Sequence, residues 1–269
     1  MPLAICATPI GNLDDVTLRV LEELRAADRV LCEDTRRTRI LLARHGIDAR
    51  LESYHRHNEV ARTGQAVERL RAGERMALVS DAGLPGVNDP GARLIAAAVS
   101  AGIEVTVLPG ASAVETALVA SGLAVDRYQF VGYLPRRHGE LRGLAVGLAA
   151  WTGAVVAFES PRRLPRSLSV LAEELPGRPA AVCRELTKRF EEITRGSLDE
   201  LAAVHVEPPR GEITLVLGGC DAPASSGVDD AARAAVADLV AAGTPRRTAA
   251  DVVSRLTRMP RNALYRDTL

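Results

Sequence analysis

Four turns in this sequence contain the residues best suited to chemistry. Each follows a short apolar run, and they span residues 8–13, 33–37, 80–86 and 109–112. Gly11, Gly83, Gly86 and Gly110 allow the backbone of these turns to approach a ligand closely. Asp81 can accept hydrogen bonds from a cationic or hydroxyl-bearing group. Together the turns indicate a small-molecule cofactor site, although each one alone is also an ordinary way to reverse the chain.

The pattern of these turns argues against several common ligand classes. No G-x-G-x-x-G follows the first apolar run and no G-x-x-x-x-G-K-S/T occurs, so a nicotinamide-dependent dehydrogenase or a P-loop enzyme is disfavoured. His55 and His57 alternate as they would on a strand or loop, but no Cys or carboxylate cluster completes a metal ligand set. We therefore expect no metal.

The spacing of apolar residues predicts an α/β fold with a mainly parallel sheet. An apolar run at 3–9 is followed at 16–27 by apolar positions that fall on one helical face, which indicates a strand and then a helix. Asp89 and Pro90 are interpreted as the start of another helix. In such sheets, ligands bind beyond the carboxyl ends of the strands. Further strands are predicted near 29–32, 76–80 and 104–108, and further helices near 36–44, 58–72 and 90–101.

The pattern changes along the chain and predicts four segments. Residues 1–110 form a first α/β lobe and residues 111–219 a second, which has strands near 129–131, 154–158, 180–184 and 213–217. Residues 220–230 have the composition of a linker, and residues 231–269 form a three-helix unit resembling a helix-turn-helix. Arginines outnumber acidic residues in this last unit, which suits phosphate contact. A solvated helical cap on the larger body is the alternative.

The composition limits the location and the partners of the protein. Thirty-four basic and thirty-four acidic residues cancel across 269 residues, so a surface for nucleic acid must be local. The four cysteines lack C-x-x-C spacing, which is typical of reduced thiols in a cytoplasmic protein. The sequence has neither a signal-peptide pattern nor a stretch of about 18 apolar residues, so we expect neither secretion nor membrane insertion.

Taken in order along the chain, the motifs resemble those of the tetrapyrrole-methylase family. They are TPIGN, CEDTRR, SYHRHNE, SDAGLPGVNDPG, LPGAS, FVGYLPR, FESPRR, RELTKRFEE and GEITLVLGG. The resemblance extends over residues 3–218. It is strongest to the branch of the family that methylates the ribose 2′-hydroxyl of a cytidine in 16S ribosomal RNA (rRNA), and the basic tail resembles the C-terminal extension of that branch.

The resemblance implies a fold, a cofactor and an assembly. The fold would be two-lobed, with a mainly parallel first sheet, a mixed second sheet and a small helix-turn-helix-like domain at the C-terminus. S-adenosyl-L-methionine would bind between the lobes, and the chain would form a homodimer without a metal. By motif position, the cofactor would contact Pro9, Asp81, Ala82, Gly83, Pro85, Gly110, Ala111 and Ser112 from the first lobe and Leu186, Gly211 and Glu212 from the second.

The implied reaction transfers a methyl group from a sulfonium to a ribose hydroxyl, so the protein must align the two groups. Because a ribose hydroxyl is a weak nucleophile at neutral pH, a base would help. Lys188 is one candidate, because it is the single lysine beside thirty-three arginines and a desolvated lysine can lose its proton. Glu33, Asp34 and Glu159 are competing carboxylates, each with a helix cap or an ion pair as its alternative role. Arg36 is better suited to holding the RNA.

The expected partner is 16S rRNA or the small ribosomal subunit, bound mainly through phosphates. Aromatic residues make up 3% of the sequence, too few for base stacking to be the main binding device. Arginines at motif positions and in the tail are expected to bind phosphates instead. They are Arg36, Arg37, Arg136, Arg137, Arg162, Arg163, Arg246, Arg247, Arg258 and Arg261.

Two other functions fit part of this pattern. A precorrin-type C-methyltransferase would use the same cofactor cleft, but the basic tail argues against it. A ligand-sensing regulator that binds nucleic acid through its tail is an alternative from another class. The charged groups clustered in the turns argue against a sensor.

Overall fold

The computed structural model of the protein describes residues 2–123, 126–220, 226–257, 259 and 261–266. These residues form two five-stranded sheets, the helices that cover them, and three C-terminal helices. The strands are β1 (Leu3–Cys6), β2 (Arg29–Cys32), β3 (Leu51–Ser53), β4 (Met76–Val79), β5 (Val105–Leu108), β6 (Tyr128–Tyr133), β7 (Ala154–Glu159), β8 (Pro179–Arg184), β9 (Glu192–Ser197) and β10 (Ile213–Leu217). The helices are α1 (Leu18–Ala26), α2 (Thr35–Arg44), α3 (Glu59–Arg71), α4 (Ala92–Ser100), α5 (Ala113–Ser121), α6 (His138–Leu148), α7 (Leu164–Glu174), α8 (Leu198–Val204), α9 (Ser226–Ala241), α10 (Arg246–Thr257) and α11 (Arg261–Arg266).

The first sheet is parallel throughout, with its strands in the order β3-β2-β4-β1-β5. Helices α1 and α2 pack on one face and α3 and α4 on the other, so the central strands are buried along their whole length. The connections that leave β1 and β4 run in opposite directions. The carboxyl ends of these two strands therefore form a topological switch point, where sheets of this kind bind ligands.

The second sheet is mixed, in the order β6-β7-β10-β8-β9. Strands β6 and β7 are parallel, and the other neighbours are antiparallel. Helices α6, α7 and α8 cover one face, while α5 covers the other. We call β1–β5 with α1–α4 the first lobe, and α5–α8 with β6–β10 the second lobe.

An apolar cluster joins the two lobes. Ile10, from the turn after β1, is buried against Val156 and Val216 of the second sheet and against Leu186 in the turn after β8. Ala82, from the turn after β4, packs on the same cluster. Because burial of an aliphatic side chain is worth about 1.5–3 kcal/mol, this interlobe cluster fixes the turns of the first sheet against the second lobe.

The predicted α/β fold, with a parallel first sheet and a mixed second one, is confirmed. The short strands β3 and β9 were not predicted, because β3 has only three residues and β9 is largely polar. The interpretation of Asp89 and Pro90 as a helix start is wrong. Helix α4 begins at Ala92, and its N-cap is Gly91, whose φ of 127° is accessible to glycine.

The three C-terminal helices share one small apolar core. Val236 of α9, Ala249 and Val253 of α10, and Leu264 of α11 are buried together. Helix α9 begins at Ser226, inside the segment that was expected to be a linker. Residues 221–225 of that segment lie outside the described residues.

Several other properties follow from the described part of the chain. No helix there combines the length and the apolar character that a membrane crossing requires, and no group of His, Cys, Asp or Glu side chains there is placed to hold a metal ion. All four cysteines are free thiols. Burial raises the pKa of Cys6 to about 12 and that of Cys183 to about 11, so these two thiols are protonated at neutral pH.

Arg178 is a buried cation that links three backbone segments of the second lobe through hydrogen bonds. Only 5% of its surface is exposed. Its guanidinium donates to the backbone carbonyls of Gly218 (2.8 Å), Leu148 (2.6 Å) and Trp151 (3.1 Å). The three acceptors belong to different segments, so one side chain binds carbonyl groups from the end of α6, the turn before β7 and the residue after β10.

We expect Arg178→Leu to lower the free energy of unfolding by about 1–3 kcal/mol, the cost of leaving the buried Gly218 carbonyl without this donor. The carbonyls of Leu148 and Trp151 keep backbone donors. Urea denaturation measures this difference. Arg142→Leu is the matched control, since the Arg142 ion pair with Glu174 lies on the surface and is worth about 0–1 kcal/mol. Equal stability of the two variants would contradict the stabilising role of Arg178.

Candidate active site

A pocket lies at the switch point of the first sheet. Reciprocal backbone hydrogen bonds of 2.8 and 3.0 Å between Thr8 and Gly83 join the turns after β1 and β4. Gly83 has a φ of 77°, which glycine adopts at little cost. The pocket is lined by Thr8, Pro9, Ile10, Gly11, Leu13, Arg37, Thr38, Ile40, Leu41, Ser80, Asp81, Ala82, Lys188 and Glu212.

Helix α2 supplies one wall of this pocket. Arg37, Thr38, Ile40 and Leu41 line it, and of these only Arg37 was predicted as a site residue. Ile40 is 60% exposed. No clear signal in the sequence marks Ile40, because single exposed apolar residues are common on protein surfaces.

The opposite wall is the turn at residues 185–188, which we call the Lys188 turn. Glu185 and Thr187 have φ values of 53° and 65°, a conformation that costs a residue with a side chain free energy. The Thr187 hydroxyl accepts a hydrogen bond of 3.0 Å from the backbone N–H of Asn12. A methyl group on Gly11 would lie 2.6 Å from Cγ of Lys188. The first lobe therefore touches the Lys188 turn at a position where only glycine fits.

Lys188 is held as a cation between two carboxylates. Its Nζ donates to Oε1 of Glu185 and to Oε2 of Glu212, each at 2.8 Å. Burial acts to lower the pKa of Lys188, but the two hydrogen-bonded carboxylates outweigh burial and raise the pKa above its ordinary value. The physical reason for choosing Lys188 as a base is therefore wrong, because desolvation does not prevail there. Lys188 does line the pocket, as a fixed positive charge.

Three carboxylates lie on the other side of the pocket, near the ends of β2 and β4. Burial and the charge of Asp81 raise the pKa of Glu33. Burial, followed by the charges of Glu33 and Asp81, raises the pKa of Asp89 to about 6. Asp81 accepts a hydrogen bond of 3.0 Å from the backbone N–H of Asp34. Sequence reasoning missed Asp89 as a site residue, because Asp-Pro before an apolar run is also a helix-start pattern.

Asp34 caps a helix and pairs with Arg36, the structural roles given above as alternatives to catalysis. Asp34 is the N-cap of α2, and its carboxylate accepts hydrogen bonds from the side chain and the backbone N–H of Arg36. These hydrogen bonds lower the pKa of Asp34 to about 2. A carboxylate that holds protons so weakly is a poor base, so Asp34 does not fit that prediction. The Arg36 side chain is 84% exposed and can still reach a substrate.

Glu159 does not fit the predicted catalytic role either. Its side chain is completely buried and forms an ion pair of 2.5 Å with Arg163. It also accepts hydrogen bonds of 2.5 Å from the backbone N–H of Ser160 and from the hydroxyl of Ser167. Arg163 in turn donates to the carbonyl oxygen of Leu134 at 3.2 Å. Glu159 and Arg163 therefore support the chain after β6 and are not free to bind a substrate.

The predicted cofactor residues divide into two groups. Pro9, Asp81, Ala82 and Glu212 line the pocket. The others shape its surroundings: the side chain of Leu186 is buried in the interlobe cluster, and Ser112 is the N-cap of α5 and donates to the Glu115 carboxylate. The members that do not line the pocket are Gly83, Pro85, Gly110, Ala111, Ser112, Leu186 and Gly211.

The predicted RNA-binding arginines are mostly on the surface. Arg136, Arg162 and Arg247 are exposed, and Arg137 is exposed beside Glu140. In the tail, Arg246 lies over the ring of Tyr265, Arg261 pairs with Asp251 at 3.3 Å, and Arg258 lies outside the described residues.

The pocket has the character required by an elongated, partly apolar ligand that carries positive charge. It encloses about 250 Å³, close to the lower limit of about 300 Å³ for small-molecule sites, and it opens between the lobes. Ile10, Ile40 and Leu41 offer apolar contact. Burial, followed by repulsion from neighbouring carboxylates, raises the pKa values of Glu33 and Asp89, and a bound cation would favour their charged forms.

A sequence profile of the tetrapyrrole (corrin/porphyrin) methylases matches residues 2–202. The chain belongs to this family. The predicted family is confirmed, and with it the prediction of a methyltransferase enzyme. The pocket described above is thus the candidate active site of a methylase, and all of its lining residues except Glu212 lie within the matched residues.

Relatives that carry the name ribosomal RNA small subunit methyltransferase I are similar to the methylase over nearly its whole length. The relative from Micromonospora olivasterospora is 45% identical over 267 residues, covering 98% of this chain and 85% of its own. The relative from Mesorhizobium japonicum is 44% identical, with 99% and 91% covered. The relative from Synechocystis is 40% identical, with 99% and 97% covered.

Solved structures share the fold of the methylase at low sequence identity. Uroporphyrin-III C-methyltransferase from Thermus thermophilus, complexed with S-adenyl homocysteine, is 19% identical with a TM-score of 0.57, covering 80% of this chain and 96% of its own. Cobalt precorrin-4 methyltransferase is 18% identical with a TM-score of 0.59, covering 80% and 94%. These likenesses confirm the predicted two-lobed fold and carry no further information on function.

We expect Gly11→Ala to displace the Lys188 turn and to destabilise the methylase by about 1–3 kcal/mol, the usual cost of overpacking. The added methyl would lie within 2.8 Å of the Leu186 carbonyl oxygen as well as of Lys188. Thermal unfolding measures the loss. Gly143→Ala on α6 is the control, because no atom lies within 4 Å of its added methyl; it should be neutral or stabilising. A Gly11→Ala variant as stable as this control would show that the contact is loose.

Proposed function

We propose that the methylase transfers a methyl group from S-adenosyl-L-methionine to a ribose 2′-hydroxyl of a cytidine in the RNA of the small ribosomal subunit. One observation carries this proposal: relatives named for small-subunit rRNA methylation match 98–99% of the chain at 44–45% identity. Bacterial ribosomal subunits are assembled in the cytoplasm, so the enzyme acts there.

The pocket supports the choice of methyl donor. When bound, S-adenosyl-L-methionine supplies an activated methyl group on a positively charged sulfur. Asp81, Glu33 and Asp89 provide the negative charge that favours such a ligand, and Ile10 and Ile40 provide apolar surface for its nucleoside. Lys188 lines the same pocket, but its ammonium is shared by Glu185 and Glu212, so this wall also carries net negative charge.

The carboxylates near β2 and β4 are the best candidates for removing the hydroxyl proton. Burial and the charge of Asp81 raise the pKa of Glu33, and burial followed by the charges of Glu33 and Asp81 raises that of Asp89. Both carboxyl groups therefore hold a proton more tightly than an exposed carboxylate does. We propose that Glu33, with Asp89 beside it, accepts the proton of the 2′-hydroxyl, and that Lys188 has an electrostatic role and is not the base.

RNA binding is proposed to use arginines around the pocket and in the tail. Arg37, at 59% exposure, and Arg36 lie on the helix that lines the pocket, and Arg136 and Arg162 lie exposed on the second lobe. We propose that residues 231–269 act as an additional phosphate-binding unit. Affinity should then fall steeply as salt rises.

We also propose a homodimer. Val107 on the edge strand β5 and Val119 on α5 are 50% and 82% exposed, so this part of the surface offers apolar area for a second copy of the chain. Light scattering measures the mass in solution.

The proposed function is tested by incubating the enzyme and labelled S-adenosyl-L-methionine separately with small ribosomal subunits, protein-free 16S rRNA and a precorrin. Label should enter RNA, at a linkage that resists alkali, because alkaline cleavage needs a free 2′-hydroxyl. Label on the macrocycle would support the precorrin alternative. If calorimetry detects no heat with the cofactor or its demethylated product, the proposal fails at its first step.

We expect Glu33→Gln to lower turnover about 10²–10⁴-fold, the usual contribution of a positioned base. In the wild type, turnover should fall as the pH is lowered, because burial and the charge of Asp81 raise the pKa of Glu33 and a protonated carboxyl group cannot act as the base. Glu22→Gln, an exposed carboxylate on α1, is the control and should behave as the wild type.

Stability measurements separate this role from a structural one. The folded-state pKa of Asp89 lies above the ordinary value of 3.8, so its contribution to stability is present below pH 4 and is lost as the pH rises through about 6. Asp89→Asn should therefore be more stable than the wild type at pH 7 and closer to it at pH 4. An Asp89→Asn variant that is less stable than the wild type at pH 7 would show that the ionised Asp89 carboxylate does not destabilise the fold.

A further inference from the structure

The sequence has few aromatic residues, and their exposure differs sharply. Tyr54 is buried, and Tyr128, Tyr133, Phe190 and Tyr265 are exposed by 41%, 60%, 65% and 48%. Three of these four exposed rings are already engaged. Tyr128 donates to Glu115 at 2.7 Å, Arg189 lies over Phe190, and Arg246 lies over Tyr265.

Tyr133 differs from these rings in its position relative to the two lobes. Burial raises the pKa of the Tyr133 phenol, and the charges of Glu212 and Asp89 raise it further. Glu212 lines the pocket from the second lobe, and Asp89 follows β4 in the first lobe. Because the neighbouring Gly132 also faces Asn88 of the first lobe, the ring lies at the edge of the cleft between the lobes, near carboxylates from both.

The backbone around Tyr133 is shaped to present this ring. The register between β6 and β7 shifts between Phe130 and Tyr133, and Gly132 inside this bulge has a φ of 71°. Bulges of this kind turn a side chain away from its regular direction and are common beside active sites. Across the cleft, Asn88 lies so close to Gly132 that an added methyl would be 3.3 Å from its Oδ1.

The ring is also held in one orientation. It packs edge-on against Phe158, with 5.6 Å between centroids and an angle of 63°. The next residue, Leu134, is fixed by Arg163, which is fixed by the buried carboxylate of Glu159. The Glu159–Arg163 pair thus acts as a support that keeps Tyr133 in place without touching the substrate.

We propose that Tyr133 is the surface on which the base of the methylated nucleotide stacks. The inference rests on the proposed function, because it takes an RNA nucleotide as substrate. Proteins that recognise RNA commonly hold unstacked bases of single-stranded segments on aromatic rings. Tyr133 is exposed, oriented and at the edge of the cleft, as that role requires.

The test compares Tyr133→Ala, Tyr133→Phe and Tyr128→Ala with the wild type on small ribosomal subunits. Tyr133→Ala should lower kcat/KM for RNA about 5- to 150-fold, the range that loss of one stacked base produces. Tyr133→Phe keeps the ring, and Tyr128→Ala removes a different exposed ring while leaving Tyr133 in place. Both variants should therefore stay within about twofold of the wild type. The calorimetric Kd for S-adenosyl-L-methionine should be unchanged in all three.

A direct readout uses Tyr133→Trp. Its added emission should be quenched by a short single-stranded oligocytidylate, whereas the emission of Trp151 in the wild type should not change. Wild-type efficiency of Tyr133→Ala, or an equal loss in Tyr133→Phe, would overturn the stacking role. Failure of the proposed function is a separate result, since the wild type itself would then leave small-subunit RNA unlabelled.

Discussion

The contact between Gly11 and the Lys188 turn is the constraint on which the pocket depends. The turn after β1 has to form one wall of the pocket and also meet the second lobe, and only a residue without a side chain allows both. The interlobe cluster around Ile10 supplies the apolar free energy that holds this contact. The strained backbone at Glu185 and Thr187 is retained because hydrogen bonds on both sides of the turn fix it.

Negative charge lies on both sides of this pocket. Near β2 and β4, burial and neighbouring charges raise the pKa values of Glu33 and Asp89, whereas on the opposite side Glu185 and Glu212 share the single ammonium of Lys188. An arrangement that destabilises ionised groups in the free protein stores free energy that a cationic ligand recovers on binding. The surrounding fold has to be stable enough to tolerate it, and buried polar contacts such as those of Arg178 contribute to that stability.

The sequence predicted the sheets and the turns well, because both depend on local patterns. Alternation of buried strands and amphipathic helices gives the order of elements, and the rule for parallel sheets then places the turns at one edge. Prediction from the sequence failed where a residue type has two uses. Asp89 followed by Pro90 is a helix-start pattern, but Gly91 caps the helix and leaves the carboxylate near the pocket. The state of Lys188 could not be read from its rarity, because it depends on Glu212, twenty-four residues away. Glu159 and Arg163 belong to a charged motif, and whether this motif is buried depends on how α7 packs.

The position of the single lysine has a practical consequence for the chemistry of the polypeptide. A protease that cleaves after lysine has one peptide bond available, between Lys188 and Arg189, in the whole chain. That bond lies in a tight turn beside the pocket, where the Thr187 hydroxyl accepts a hydrogen bond from Asn12 of the first lobe and Lys188 pairs with Glu185 and Glu212. Digestion therefore yields two fragments or none, and the rate of this one cut reports how often the turn opens.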